Sequence, residues 1–194
     1  MKARNTIISA ILAAILAVGL CAPVGAETNV EVTFSNGNVY LVESETAPVV
    51  ATALDGKELS ETLAEEVLRL TNIERAERGL APLARHQALE NAAVEHSQEM
   101  RALNYFSHRS PTAGKNTARQ RVNQYGVNPR LVCENIFECS GYDVELTARF
   151  AVEAFLQSPG HRQNLLNPSA THIGVGLVES NGTVSVTQVF ASGI

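Results

Sequence analysis

Apolar residues recur along the chain with two different periods, and these periods predict its secondary structure. From residue 60 to about residue 78 they recur every three or four positions, at Leu63, Val67, Leu70 and Ile73, which predicts a helix that begins at Ser60 and stops before Gly79. Residues 87–103, with Leu103 as the last apolar position, and residues 143–157 share this helical spacing. Residues 117–125 are expected to form a short helix that ends at Gly126. The helices therefore occupy much of the chain after residue 60.

Short β-prone runs predict the strands. They cover residues 131–137, 173–178 and 184–190, and the last two flank a turn at Asn181-Gly182. Helices and strands do not alternate in this order, so we expect an α+β domain with antiparallel pairing rather than a doubly wound fold.

The first 26 residues have the pattern of a secretory signal peptide. Two basic residues, Lys2 and Arg4, precede an apolar run from about residue 7 to residue 20, and small residues follow up to Ala26. A membrane-spanning helix needs about 20 apolar residues, more than this run provides. We predict cleavage after Ala26, secretion, and no membrane span in the mature protein.

Residues 27–59 form a separate segment in this interpretation. Two β-prone runs within residues 30–42 surround Asn36-Gly37 and predict a hairpin, and residues 43–59 are interpreted as a linker. An isolated hairpin is marginally stable in water. It therefore docks on its own domain, which we favour, or offers an edge to another chain.

Charge and cysteine content narrow the possible partners and compartment. The formal net charge is −5, which gives no electrostatic reason to expect nucleic acid. Outside the cytoplasm, Cys133 and Cys139 could form a disulfide. Six residues of straight strand span about 20 Å, so a bond requires the chain to fold back between them. Both states remain open.

Three residues are candidates for a functional site: His161, His108 and Glu134. His161 follows Pro159-Gly160, which predicts a tight turn, and His108 lies between a helix end and an irregular loop. Glu134 is a single acid in an apolar strand and needs a partner or a cleft to face.

The other histidines have simpler interpretations. His96 falls on the apolar stripe of its helix, so we interpret it as a hydrogen-bonded core histidine rather than a ligand. His86 and His172 are interpreted as solvent-facing residues. No His-Glu-x-x-His motif is present, so spacing alone does not predict a metal site.

Five segments in series resemble a bacterial CAP domain, the family of cysteine-rich secretory proteins, antigen 5 and plant pathogenesis-related proteins of class 1. The segments read NIERAERGLAPL, HSQEMRALNYFSH, ENIF, SPGHRQNLLNPSATHIGVGL and TQVF, and they cover residues 60–194 in family order. The resemblance implies a three-layer α-β-α sandwich with a small antiparallel sheet between helices, preceded here by the hairpin extension.

The resemblance also implies a cleft with two histidines and two acids, which in some members binds a divalent cation such as zinc. His108 and His161 match the two histidines and are the implied metal ligands, and Glu134 matches one acid. Ser158 stands where the second acid is expected. Glu153, one helical turn earlier, is a possible substitute for that acid.

Two other positions depart from the family pattern. Cys133 replaces a glycine before the acid, and Phe155 replaces a tryptophan. These departures leave the scaffold signature intact.

Two functions are compatible with these features. The first is an extracellular binding module that takes a lipid, glycan or protein ligand in a cleft formed by His108, Glu134, Ser158 and His161. The alternative is a zinc-dependent hydrolase in which the two histidines are ligands and Glu134, the candidate catalytic residue, is a ligand or general base. Fold-level resemblance does not decide between them.

Overall fold

In the computed structural model, four ranges of the chain are described: residues 28–33, 39–44, 56–140 and 144–194. The predicted signal peptide, the Asn36-Gly37 turn and most of the predicted linker lie outside these ranges. The predicted domain boundary at residue 60 stays a prediction, although the first helix already begins at Gly56.

The helices and strands follow the predicted order closely. The helices are α1 Gly56–Ala76, α2 Gln87–Ala102, α3 Ala118–Asn123, α4 Val144–Gln157 and α5 Pro159–Leu165. The strands are β1 Thr28–Thr33, β2 Val39–Ser44, β3 Ala84–Arg85, β4 Leu131–Ser140, β5 His172–Ser180 and β6 Thr183–Ser192.

Within the described residues, the strands form one sheet in the order β2-β1-β4-β6-β5-β3. The long pairs β4–β6 and β6–β5 are antiparallel, as predicted. The hairpin strand β1 pairs with β4 at only two positions, Val32↔Cys139 and Thr33↔Glu138. The two-residue strand β3 pairs parallel with β5 and was not predicted.

Two apolar cores lie on opposite faces of this sheet and define three layers. One core joins α1 and α4 to alternate residues of β5 and β6, such as Val175 and Val186. The other joins α2 and α3 to the opposite face of β6 through Val189 and Ala191. The predicted α+β class and the sandwich of helix, sheet and helix are confirmed.

Helix α2 lies directly on β5 because two glycines remove the side chains between them. A Cβ atom on Gly174 would lie 2.1 Å from the backbone of Leu89 and Glu90, and one on Gly176 would lie 2.2 Å from that of Ala93. No real Cβ atom tolerates such distances. The glycines of the segment IGVGL are therefore explained by helix-on-sheet contact.

The inner face of α1 changes from apolar to polar along its length. Val67 is buried, and the next positions on the same stripe are Thr71 and Arg75, both fully buried. The predicted apolar position Ile73 is instead 39% exposed. The helical period predicted the buried positions Leu63 and Val67 correctly and was wrong at Ile73, because the buried stripe continues through the polar residues Thr71 and Arg75.

The end of α2 and the start of α5 correct two further predictions. Leu103 was expected on the apolar stripe of α2, but α2 ends at Ala102 and Leu103 is 54% exposed. Pro159-Gly160 was expected to form a tight turn before a helix. Instead Ser158 is the N-cap residue and Pro159 is already the first residue of α5. Proline suits that position because its missing N–H has no intrahelical partner there.

The two cysteines lie on one straight strand, β4, and both are free. Cys139 is buried in the α1/α4 core and Cys133 is half-buried. The chain does not fold back between them, so the disulfide that the sequence left open is absent.

Candidate functional site

The site is built around the carboxylate of Glu134, in the middle of β4. As the alternation of side chains predicted, Glu134 faces the opposite side of the sheet from Asn135 and Phe137. Its side chain reaches the layer of α2 and α3, where it is 8% exposed. A buried carboxylate requires compensating partners.

Those partners engage both oxygens of the carboxylate. Nη2 of Arg121, in α3, donates to Oε2 at 2.5 Å, and Nδ1 of His108 lies 2.9 Å from Oε1. Nε2 of His96 lies 3.8 Å from Oε1. Burial alone would raise the pKa of Glu134, but the hydrogen bond from His108 and the charge of Arg121 outweigh it and hold that pKa below its ordinary value.

Arg121 also orders the loop that holds His108. It is fully buried, and its guanidinium donates to the carbonyl oxygens of Lys115 at 2.8 Å and of His108 at 3.4 Å. The helix that presents it begins with a capping box in which Thr117 and Gln120 bond reciprocally. Sequence reasoning missed Arg121, although a single acid in an apolar strand predicts a buried cation opposite it.

His161 forms the other wall of the cleft from α5. It is 6% exposed, and its ring centre lies 5.4 Å from that of Phe155 and 6.1 Å from that of His108. Burial, with a smaller contribution from His108, lowers the pKa of His161 to about 4. His161 is therefore a neutral imidazole at neutral pH.

A buried amide network fixes α5 against β4. Nδ2 of Asn135 donates to the carbonyl oxygen of His161 and to Oε1 of Gln188, both at 3.1 Å. Nδ2 of Asn164 donates to the carbonyl oxygen of Glu134 and to Oδ1 of Asn135. Asn164 thus ties α5 to β4 through its side-chain amide. The role of Asn135 was not predicted.

His96 has the role predicted for it. It is fully buried under Glu134, and its Nε2 lies 3.0 Å from the carbonyl oxygen of Ser107. It supports the carboxylate from below and does not reach the cleft.

Together these elements enclose a cleft of about 440 Å³. All four predicted cleft residues line it, and most of its side chains are polar. The lining consists of His108, Glu134, Ser158, Pro159, Gly160, His161, Gln163 and Asn164. The hydroxyl of Ser158 makes no capping bond to α5.

Glu153 does not replace the missing acid. It is not among the residues that line the cleft, and the charges that act on it are those of Arg149 and of Glu74 in α1. The second acid of the family pattern therefore has no counterpart among the cleft-lining residues.

The donor set can be compared with that of a zinc site. A catalytic zinc ion uses three protein ligands, and in the described part of the chain no three His, Cys, Asp or Glu residues are grouped to hold a metal. Glu134 is bonded to Arg121 on one side and to His108 on the other, which is the place of a residue that orients a histidine rather than of a ligand. His108 and His161 therefore have no third protein ligand in the described residues, and an ion held by these two histidines stays a prediction.

Comparison with known proteins agrees with this geometry. The family model of the cysteine-rich secretory protein family, CAP, matches residues 68–190. The chain belongs to this family.

Two curated relatives come from Bacillus subtilis (strain 168). The uncharacterized protein YkwD is 40% identical to the CAP chain over 116 residues, which are 60% of this chain and 42% of YkwD. The uncharacterized membrane protein YlbC is 37% identical over 121 residues, 62% of this chain and 33% of YlbC. The chain thus spans less than half the length of either relative.

Solved structures show the same fold. An extracellular protein containing an SCP domain from Bacillus anthracis str. Ames is 32% identical, with a TM-score of 0.61 over 79% of this chain and 47% of that one. An outer surface protein from Borrelia burgdorferi has a TM-score of 0.56 at 24% identity, over 72% and 96% of the two chains, and shares the fold. Among the described helices of the CAP chain, none is long and apolar enough to span a membrane.

Proposed function

We propose that this CAP domain is an extracellular binding module and that its ligand occupies the cleft between His108 and His161. The observation that supports the proposal most strongly is the state of Glu134, whose two oxygens are both engaged by fixed partners. A carboxylate engaged in this way positions His108 and stabilises the wall of the cleft. It is not free to act as a general base or as a metal ligand.

The nearby serines do not suggest an activated nucleophile. The hydroxyl oxygen of Ser107 accepts from the backbone N–H of Arg109, and that of Ser110 accepts from the backbone N–H of Thr112. These are turn contacts of the kind that serine commonly makes. Binding therefore explains more of the site than covalent catalysis does.

Among the three ligand classes, a glycan suits the cleft better than a lipid chain. Imidazole, amide and hydroxyl groups line it, and His161 is neutral at neutral pH. Such groups exchange hydrogen bonds with sugar hydroxyls, whereas an acyl chain would leave them without partners. Secretion and extracellular ligand access are parts of this proposal, supported by the extracellular protein from Bacillus anthracis.

Calorimetric titration tests the proposal with three probes: soluble cell-wall oligosaccharides, fatty-acid-containing phospholipid vesicles, and an extracellular protein extract. We expect saturable oligosaccharide binding that weakens up to about tenfold in Gln163→Ala, whose amide lines the cleft, because a hydrogen bond contributes at most about 1.5 kcal/mol. Glu179→Gln, far along β5, is the matched control. Saturable binding of the vesicles alone would contradict the assignment of a glycan as the ligand. If none of the three probes binds saturably, the proposal of a binding module is wrong.

The zinc-dependent hydrolase stays a prediction. His108 and His161 would hold the ion, but the structure offers them no third protein ligand in the described residues. Stoichiometric zinc uptake that disappears in a His108→Ala/His161→Ala variant would revive this function, and uptake unchanged by that variant would end it.

A further inference from the structure

A second pair of histidines meets at the N-terminal end of α2, outside the cleft. His86 is the residue before α2, and His172 is the first residue of β5. Their ring centres lie 5.6 Å apart, with the ring planes at 89°. Both residues are half-buried, so the interpretation of them as independent solvent-facing residues was incomplete. We call them the edge pair.

The backbone brings the edge pair together. Ala84 pairs with His172 in the parallel β3–β5 ladder, and the N–H of His86 donates to the carbonyl oxygen of Ile173 at 3.0 Å. His172 also shares the α2-facing side of β5 with Gly174, where the helix lies against the strand. The two rings are thus placed by strand pairing and helix packing, not by flexible loops.

Hydrogen bonding favours one tautomer of His172. The hydroxyl of Thr171 donates to the carbonyl oxygen of Ala191 at 3.4 Å, so its oxygen is left to accept from Nδ1–H of His172 at 2.9 Å. The lone pair of His172 then lies on Nε2. Metal-binding histidines in proteins characteristically have one ring nitrogen oriented in this way.

His86 lacks such a constraint. Its Nδ1 is buried and makes no hydrogen bond. Because Nδ1 is closed off from solvent, Nε2 is the nitrogen of His86 left to bind an ion.

We propose that the edge pair binds a divalent transition-metal ion, with water completing the coordination shell. Two imidazoles that share one zinc ion at about 2.0–2.1 Å have ring centres about 5 to 6 Å apart, and the observed separation falls in this range. Imidazole nitrogen suits Zn²⁺, Cu²⁺ and Ni²⁺.

The neighbouring acid explains why this is a two-histidine site. Glu90, in the first turn of α2, is held by the guanidinium of Arg85 at 2.6 and 2.7 Å. Its carboxylate is therefore engaged, as that of Glu134 is in the cleft. Two protein ligands and water predict a weaker, exchangeable site rather than a structural one.

The test is calorimetric titration of the untagged protein with Zn²⁺, repeated with Cu²⁺. We expect one ion to bind in the wild type and binding at that site to be lost in His86→Asn/His172→Gln. Asparagine is a good N-cap residue, so α2 keeps its start in this variant. The matched control is His108→Ala/His161→Ala, which removes the cleft pair and should retain the edge-pair ion.

A third variant separates coordination from mere folding. Thr171→Val removes the acceptor of His172 Nδ1, and we expect affinity to fall about tenfold with unchanged thermal stability. The proposal is overturned if the wild type binds neither ion, or if uptake survives His86→Asn/His172→Gln unchanged. Since the cleft lies elsewhere, either result leaves the ligand-binding proposal untouched.

Discussion

The cleft and the edge pair each hold two histidines beside α2, but they hold them by different means. At the cleft, His108 is fixed by the buried ion pair of Glu134 and Arg121. At the N-terminal end of α2, the edge pair is fixed by backbone pairing and by close contact of α2 with β5. His86 and His96, the α2 residue under Glu134, are about 15 Å apart along the helix axis, and the two regions share no residue.

This difference shows what each region tolerates. The cleft depends on the charges of Glu134 and Arg121 compensating each other. The edge pair depends on the absence of side-chain volume between α2 and β5. Substitutions that remove a charge should therefore damage the cleft end, and substitutions that add a methyl group should damage the edge-pair end.

The largest effect is expected for Arg121→Met. Removing one partner of a buried ion pair leaves the other charge uncompensated, which typically costs about 3–5 kcal/mol of the free energy of unfolding. Urea denaturation at pH 7 measures the loss. In the double variant Arg121→Met/Glu134→Leu no charge is left buried, and most of the stability should return. If the single variant is as stable as the wild type, the ion pair is not what holds this end.

The next effect is a dependence of stability on pH caused by His161. Its pKa of about 4 in the folded protein lies below its ordinary value of 6.5, so the unfolded chain binds a proton more readily between these values. Stability is complete above pH 6.5 and is lost as pH falls, by about 2 kcal/mol between pH 7 and pH 5.

The control for this prediction is His161→Gln, measured over the same range. Burial also lowers the pKa of His96, which adds a loss of the same sign in both proteins. The variant should therefore show a smaller pH dependence than the wild type. Equal slopes for the two proteins would contradict the assignment to His161.

At the N-terminal end of α2, Gly174→Ala tests the contact with β5. The added methyl group would lie 2.1 Å from the backbone of Leu89 and Glu90, so helix or strand must shift, at a cost of about 1–3 kcal/mol. Gly160→Ala is the matched control, since nothing lies within 4 Å of its Cβ position. Thermal denaturation compares the two, and similar melting temperatures would refute the contact.

The smallest effect is expected for Thr117→Ala, which removes the capping box of α3. Loss of such a cap costs about 1 kcal/mol. Because α3 presents Arg121, hydrogen exchange of the backbone amides should increase in α3 and in residues 107–116, but not around His86. Uniform exchange changes over the whole protein would argue against a local role.

Most of the fold follows from patterns that are local in the sequence. The alternation in residues 131–137 placed Glu134 opposite Asn135 and Phe137, and the turn Asn181-Gly182 joined the last two strands. The cleft residues His108, Glu134, Ser158 and His161 came from the family resemblance, and the structure brings all four together.

What could not be predicted depends on contacts distant in sequence. Arg121 looks like a surface residue of a short helix until β4 places a carboxylate against it. Thr71 and Gln188 are 117 positions apart and meet only where α1 packs on β6. The edge pair requires the two-residue strand β3, too short for any periodicity to reveal. Hydrophobic periodicity and residue propensity predict single helices and strands. The three contacts above form between two elements, so neither signal reveals them.

The guanidinium of Arg75 has a consequence for dissecting this chain into fragments. From within α1 it donates to the carbonyl oxygens of Leu165 and Asn167, at 2.8 and 3.0 Å, where α5 ends. The wall that presents His161 is thus tethered to a helix about 90 positions earlier. A fragment that started after Arg75 would contain every cleft-lining residue and still lack the cleft, so the smallest recombinant unit that retains binding must include α1.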